Sequence, residues 1–551
     1  MKNQNNNIFY KIGGLLCGGY LCMCKMFKSI SFYFSQNTIL LDNDLVENYD
    51  ITFTSFLTVA GEYFLVLSIF MLTIYGVLTS KNFEIIANRK KIKLISSNTI
   101  QFNNIAILIL IFYGIITYNQ YFLYMDGILS FSNSIYNDFI SLFSKLLIII
   151  TSIFYLLIIQ NYLIDQKLCY FEYYILILSS VLGFCLLCCS NDFLTAYLAI
   201  ELQGLSLYVL AAFKKDSTYS VESGIKYFIL GALSTSIFLL GVSLVYGISG
   251  TINFMDLKDL FMWIFSINGI ILILISLFFK LALTPFHLWS PDIYEGAPSS
   301  SSFFFIVVSK ISIFVFLIKI CYLSFYSFII EWQFYSMIVA ILSILLGSIT
   351  ALKQRKLKSL LTYSSISNMG LILSVFSTGT FDGLKVVFYY FIIYIISSLS
   401  IWSIYFLVKV KRKNSNEKYN KDLGDFTLLH ESNKTLSYAA VISIFSIAGI
   451  PPMIGFLAKV NIFLTLIISS MYFIAFINIV TSVVSTFYYI RIIKIIFFEK
   501  VLVGKLLYPI NSKITIVQSL LFFLILFIFI NPTLINLFSY KTILFLSKNF
   551  Y

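Results

Sequence analysis

Apolar runs of about twenty residues recur from one end of this 551-residue chain to the other, and no other feature restricts its fold so severely. A run of that length spans the ~30 Å hydrocarbon core of a bilayer as an α-helix, whose backbone groups satisfy one another where water is absent. About fourteen spans are predicted, near 57–79, 103–120, 137–160, 172–190, 193–213, 224–247, 262–284, 300–321, 332–352, 361–377, 384–408, 436–462, 466–490 and 514–535. Charged residues make up 11% of the chain and mean hydropathy is +0.91, whereas soluble domains carry roughly 25% charged residues. The fold class is therefore an all-α polytopic membrane protein with membrane lipid as its solvent.

The net charge of +13 does not indicate a nucleic-acid partner, because of where it falls. Lys and Arg gather in short connections: NRKKIK (88–93), Lys214 and Lys215, KQRKLK (353–358), KVKRK (409–413) and RIIK (491–494). Connections after odd-numbered spans hold about 25 Lys and Arg, while the others hold only Lys258, Lys319 and Lys385. That alternation supports the span count and places the basic connections on the matrix or cytoplasmic side. Lys353, Arg355, Lys356 and Lys358 are read as topogenic, and Asp292 and Glu295 as parts of a solvated turn. Cys185 and Cys188 form C-x-x-C on an apolar helix without histidine or a second pair, so they read as small buried hydrophobes. Abundant Phe (57) and Tyr (38), with heavy Ile, Lys and Asn, are written with AT-rich codons, which points to an organelle or endosymbiont genome.

Two spans are interrupted. Pro285 breaks span 7, and Pro451-Pro452 breaks span 12 within SIAGIPPMIGFLAKV (446–460). Proline removes an intrahelical hydrogen bond, and in lipid the freed carbonyl needs a partner in protein or water. Breaks five spans apart fit two copies of a five-helix unit. Because five is odd, consecutive copies have opposite topology, the arrangement that lines a transporter's central path. The expected organisation is an N-terminal extension over 1–52, spans 1–3 over 53–171, a first repeat over 172–323, a second over 324–490, and a loop with a C-terminal span over 491–551.

Few charges lie deep inside spans: Glu201 on span 5, Lys280 on span 7, Lys310 on span 8 and Lys459 beyond the span 12 break. A charge at the bilayer centre costs about 2.5–3.5 kcal/mol on insertion scales, so these groups should face one another or water. Lys145 and Lys319 are read instead as snorkelling to the interface. Burial disfavours the charged form of lysine and a nearby carboxylate restores it, so a lysine with a movable acidic partner can load and release a proton. Candidate relay groups are Thr284, Ser309 and His287. No phosphate-binding loop, dinucleotide fingerprint or metal-ligand spacing is present, and His430 lies in a basic loop. The chain itself therefore offers no cofactor or metal site.

Four segments carry a resemblance: KLALTPFHLWSPDIYEGAP (280–298), AYLAIELQGLSLYVLAAF (196–213), GIKYFILGALSTSIFLLG (224–241) and AGIPPMIGFLAKV (448–460). They resemble the chain 2 family of NADH–ubiquinone oxidoreductase, respiratory complex I, and the similarity runs in order from GEYFLV (61–66) to YYIRIIKIIFF (488–498). The resemblance implies an antiporter-like, proton-translocating membrane-arm subunit with fourteen helices and two inverted five-helix repeats. It places Glu201, Lys280, Lys310 and Lys459 on the family's proton path. It also implies that NADH, FMN, iron–sulfur clusters and ubiquinone are bound by other subunits. Partners would be other complex I membrane-arm subunits, in the mitochondrial inner membrane or, alternatively, a bacterial plasma membrane. A related cation/proton antiporter and a structural subunit with fixed ion pairs are the rival readings.

Overall fold

The computed structural model describes residues 56–81, 91–123, 127–166, 168, 170–260, 267–409, 422–427, 429–499 and 512–548. The expected extension over 1–52 lies outside them, as do Cys17, Cys22, Cys24 and Cys169. The chain divides into two compact units, Met1–Val59 and Ala60–Tyr551, and the second holds every element named below.

Six helices come first: α1 (Ala60–Lys81), α2 (Lys91–Leu123), α3 (Phe139–Asp165), α4 (Phe171–Cys189), α5 (Phe193–Ala211) and α6 (Thr218–Ser249). A hairpin of β1 (Ile128–Ser130) and β2 (Ile135–Asn137) joins α2 to α3. Span 7 is divided into α7 (Ile267–Lys280) and α8 (Trp289–Gly296). Span 8 is one helical stretch whose segments α9 (Ser299–Val307) and α10 (Ser309–Lys319) meet at an irregular turn at Val308. Next come α11 (Ile329–Leu352), α12 (Leu357–Phe376) and α13 (Phe381–Leu407). The span 12 region forms α14 (Lys434–Ala448) and α15 (Ile454–Ile468), followed by α16 (Tyr472–Phe497), α17 (Ser512–Ile530) and α18 (Thr533–Lys548).

Among the described residues, 12 helical stretches are long and apolar enough to cross a membrane, and three shorter apolar helices, α7, α14 and α15, fall at the two expected breaks. At the first break α7 ends on Lys280, Ala282 adopts φ +58°, and Trp289 Nε1 donates to the Phe279 carbonyl at 3.1 Å. At the second, α14 ends at Ala448 and Gly449 takes φ +77° as its left-handed C-cap, donating to the Phe445 carbonyl. Two features depart from the sequence reading. Span 8 carries an irregular turn at Val308, immediately before Lys310, where the backbone stays right-handed helical and the Val308 N–H still donates to the Phe304 carbonyl at 3.0 Å. Beyond Asn531-Pro532 a further helix, α18, stacks Phe538 on Phe143 of α3. Its two lysines hid it from a hydropathy window, and Lys385 sits over the ring of its Tyr540 at 5.3 Å.

The connections sort onto two faces as their parity requires. Asn191, between α4 and α5, donates to the Asn133 carbonyl of the hairpin and to Asn253 beyond α6, at 2.8 and 3.0 Å. This hairpin face therefore gathers the connections after spans 2, 4 and 6. On the other face Lys409 pairs with Asp165 at 2.5 Å, Leu423 N–H donates to the Arg355 carbonyl at 2.9 Å, and Arg491 reaches the Leu352 carbonyl at 3.3 Å. These join connections after spans 3, 9, 11 and 13, where the basic residues lie. Between the faces, α9 and α10 are buried along their whole length, and α12 and α13 nearly so. The faces of α6 and α16 turn outward with Ile229, Leu240, Phe476 and Val483 exposed, as lipid or a neighbouring helix requires.

Candidate functional site

Of the four charges singled out from sequence, Lys280 and Lys459 flank the two helix breaks, and Lys310 follows the irregular turn at Val308. Lys280 is the last residue of α7, half-buried, and its Nζ donates to the Tyr208 hydroxyl at 3.3 Å. Tyr208 lies two turns beyond Glu201 on α5, so both project from one side of that helix. Glu201 lies near enough to act electrostatically on both Lys280 and Tyr208. The Tyr208 ring has room because Gly231 of α6 lacks a side chain. A Cβ there would meet the phenol oxygen at 2.1 Å.

Lys310 occupies the first turn of α10, 1% exposed, and donates to Ser365 Oγ of α12 at 2.9 Å. Lys459, 5% exposed on α15, reaches back across the break and donates to the Ala448 carbonyl at 2.6 Å, capping the C-terminus of α14. An ammonium is favoured there because unsatisfied carbonyls make a helix C-terminus electronegative. Among the described residues no carboxylate oxygen lies within 4.0 Å of Lys280, Lys310 or Lys459. Each is held by a neutral oxygen instead.

The candidate relay groups divide. Ser309 gives its hydroxyl to the Phe305 carbonyl one turn back in α9 at 2.6 Å, so Ser365 rather than Ser309 touches Lys310. Thr284 is fully buried and its hydroxyl has no hydrogen-bond partner. His287 is half-buried, and its Nδ1 is likewise unpartnered. Both lie in the span 7 break, beside exposed Pro285, while Pro451 and Pro452 are also exposed at the other break.

Other lysines were misread from sequence. Lys145 and Lys319 do not snorkel. Lys145 is fully buried and pairs with Glu62 at 2.6 Å, and Lys319 is 1% exposed and pairs with Asp138 at 2.8 Å. A long stem reaches the interface only when no acceptor is nearer, and here buried carboxylates were supplied by α1 and by the N-cap of α3. Lys358 is not a solvated topogenic charge either: it is buried, and its ammonium bonds the Ala297 and Glu295 carbonyls at the end of α8. Asp292 and Glu295 lie in α8 rather than in a loop, and Glu295 pairs with Lys356. Cys185 and Cys188 are free and buried, as read.

Residues 190–485, the stretch holding all four charges, match the family described as NADH:quinone oxidoreductase/Mrp antiporter, transmembrane. The chain belongs to this family. It is 39% identical to NADH-quinone oxidoreductase subunit N of Pelagibacter ubique over 80% of this chain and 91% of that protein. It is 35% identical to NADH-ubiquinone oxidoreductase chain 2 of Marchantia polymorpha over 74% of this chain and 84% of that one. Its fold is shared with a chain of Thermus thermophilus respiratory complex I, at TM-score 0.69, 22% identity and coverage of 86% and 98%. A chain of the Mrp complex from a Dietzia species superposes at TM-score 0.71, with 18% identity and coverage of 88% and 97%.

Proposed function

We propose that this chain is a proton-translocating membrane-arm subunit of a respiratory NADH:quinone oxidoreductase, moving protons through Glu201, Lys280, Lys310 and Lys459. The observation that carries the reading is the common setting of the three lysines. Lys310 and Lys459 are buried and Lys280 is half-buried, all three rest on neutral oxygens, and Lys280 and Lys459 flank the two helix breaks while Lys310 follows an irregular turn. A lysine so placed has no fixed counter-ion to hold its charge, so it can give its proton to a neighbour and take another. Glu201 acts on Lys280 from beyond contact distance, which leaves its influence adjustable by a small movement of α5 or α7.

In this reading protons arrive from the basic face, load Lys280, pass through Lys310 to Lys459 and leave at the hairpin face. Spans 4–8 and 9–13 form two inverted repeats, whose broken members are α7–α8 and α14–α15. The driving energy comes from quinone reduction in other subunits, which also bind NADH, FMN and iron–sulfur clusters, and the partners are neighbouring membrane-arm subunits. The membrane is the mitochondrial inner membrane or a bacterial plasma membrane. The sequence's AT-rich residue types and the Marchantia relative support the first, and the Pelagibacter relative supports the second.

The shared fold with an Mrp chain supports one further reading, a cation/proton antiporter subunit, which would exchange cations without NADH oxidation. A structural subunit with fixed ion pairs fits less well, because Glu201 and Lys280 are not in contact. The decisive experiment is Lys280→Met in the assembled complex within sealed vesicles. A lower proton-to-electron ratio is expected, and an unchanged ratio would falsify the proposed path.

A further inference from the structure

Two buried ion pairs lie outside the Glu201–Lys459 row and are joined to each other. Lys145 Nζ contacts Glu62 at 2.6 Å and Asn137 Oδ1 at 2.8 Å. The next residue, Asp138, binds Lys319 Nζ at 2.8 Å and accepts the Ser141 backbone N–H at 3.0 Å. The string Glu62–Lys145–Asn137–Asp138–Lys319 thus ties α1, α3 and α10 together, with every charged member at most 5% exposed. We propose that Glu62 is a proton-accepting site on this string, loaded and unloaded during turnover near the hairpin face. The proposal rests on the proton-translocating reading above.

Three observations carry it. First, Glu62 is under-satisfied. Its Oε1 receives Lys145 and, at 3.4 Å, the Tyr113 hydroxyl, while Oε2 is buried with no hydrogen-bond partner. A buried carboxylate oxygen without a donor is costly as an anion and is relieved by taking a proton. Second, Lys145 has an alternative acceptor in Asn137, so it keeps a hydrogen bond when Glu62 becomes neutral. In the Asp138–Lys319 pair the carboxylate is the more tightly held member, because Asp138 also caps α3. Third, the string is in line with the row. Lys310 and Lys319 share α10, nine residues and roughly 14 Å of helical rise apart, and Lys319 also reaches the Tyr136 carbonyl of the hairpin at 3.5 Å.

The titratable groups facing Glu62 are Tyr113 from α2, Lys145 from α3, and Cys185 and Cys189 from α4. The Cys189 thiol is given to the Cys185 carbonyl of its own helix. In the step proposed, an N–H bond of the Lys310 ammonium breaks, leaving that amine neutral, and the proton released forms an O–H bond at Glu62 Oε2. Lys145 remains an ammonium and shifts toward Asn137. Release to the hairpin face breaks that O–H bond and restores the ion pair.

The test is infrared difference spectroscopy of the whole complex in sealed vesicles, resting against NADH-driven, with the proton-to-electron ratio measured alongside. A carboxylic-acid C=O band should appear on energisation, vanish in Glu62→Gln and shift in Tyr113→Phe, which removes one hydrogen bond to the same group. Glu62→Gln should also lower the ratio. A band untouched by both variants, or a ratio in Glu62→Gln equal to wild type, overturns the proposal and leaves the pair a static clamp. If Glu62→Gln does not assemble, the Tyr113→Phe shift alone decides. A lowered ratio in Lys280→Met beside a normal one in Glu62→Gln refutes this site while the main path stands. Normal ratios in both refute the main path.

Discussion

Among the described residues, the buried and half-buried lysines of the spans fall into two kinds, separated by what accepts their hydrogen bonds. Lys145 and Lys319 meet carboxylates at 2.6 and 2.8 Å, whereas Lys280, Lys310 and Lys459 meet a phenol, a serine hydroxyl and a peptide carbonyl. Removing one partner of a buried ion pair strands a charge at about 3–5 kcal/mol, so the paired lysines weigh on assembly as well as on transport. A related tension exists at the hairpin face, outside the spans. Burial, with Asp256 nearby, pushes the Asp192 carboxyl up to about 6, and its Oδ1 has no hydrogen-bond partner. The folded state then holds this proton at pH values where the unfolded chain has released it. By linkage, the group's contribution to stability falls as pH rises from about 4 to about 6 and stays low above that. Asp192→Asn should therefore raise the thermal midpoint at pH 7.5 and leave it nearly unchanged at pH 4. Equal shifts at both pH values would show that the carboxyl's ionisation is not responsible.

At the scale of elements, the two broken segments place lysines by different means. Lys280 ends its own half-helix, while Lys459 starts from α15 and turns back onto the end of α14. That return needs Gly449, whose φ of +77° is unfavourable for other residues and whose missing Cβ leaves space: a Cβ there would lie 2.6 Å from Lys459 Cδ. Gly449→Ala should cost about 1–2 kcal/mol for the left-handed backbone. It should also lower the proton-to-electron ratio by displacing Lys459 from the Ala448 carbonyl. A thermal shift without any change in the ratio would mean that the carbonyl seat is dispensable. The breaks were legible in the sequence because proline acts locally, through its own missing N–H. Lys310 was legible because apolar residues flank it on both sides. Tyr208 and Ser365 were not, since a hydroxyl on an apolar helix gives no sign of which distant lysine it will meet. Lys145 and Lys319 were misread for the same reason: Glu62 and Asp138 approach them only after α1, α3 and α10 have packed. The irregular turn at Val308 has no proline or glycine to announce it.

Across the whole molecule, charge and packing agree on a single arrangement. The connections after spans 2, 4 and 6 meet through Asn133, Asn191 and Asn253, and those after spans 3, 9, 11 and 13 meet through Asp165, Arg355, Lys409 and Arg491. Only the second group is rich in Lys and Arg, which retain connections on the matrix or cytoplasmic side during insertion. The fold would produce this segregation only if each broken segment, α7–α8 and α14–α15, crosses the membrane once. A span missed or added between the two marker positions would put exposed Leu129 of the hairpin and exposed Lys353 after α11 on the same side. Cysteines introduced singly as Leu129→Cys and Lys353→Cys distinguish these cases, with Cys17, Cys22, Cys24 and Cys169 replaced by serine. The remaining four cysteines are buried and should react slowly. In sealed, oriented vesicles a membrane-impermeant maleimide should label Leu129→Cys from the side to which protons are delivered. It should label Lys353→Cys only from the opposite side or after permeabilisation. Labelling of both from one side would remove an odd number of crossings between them, and with it the inverted relation of the two five-helix units on which the proposed proton path depends.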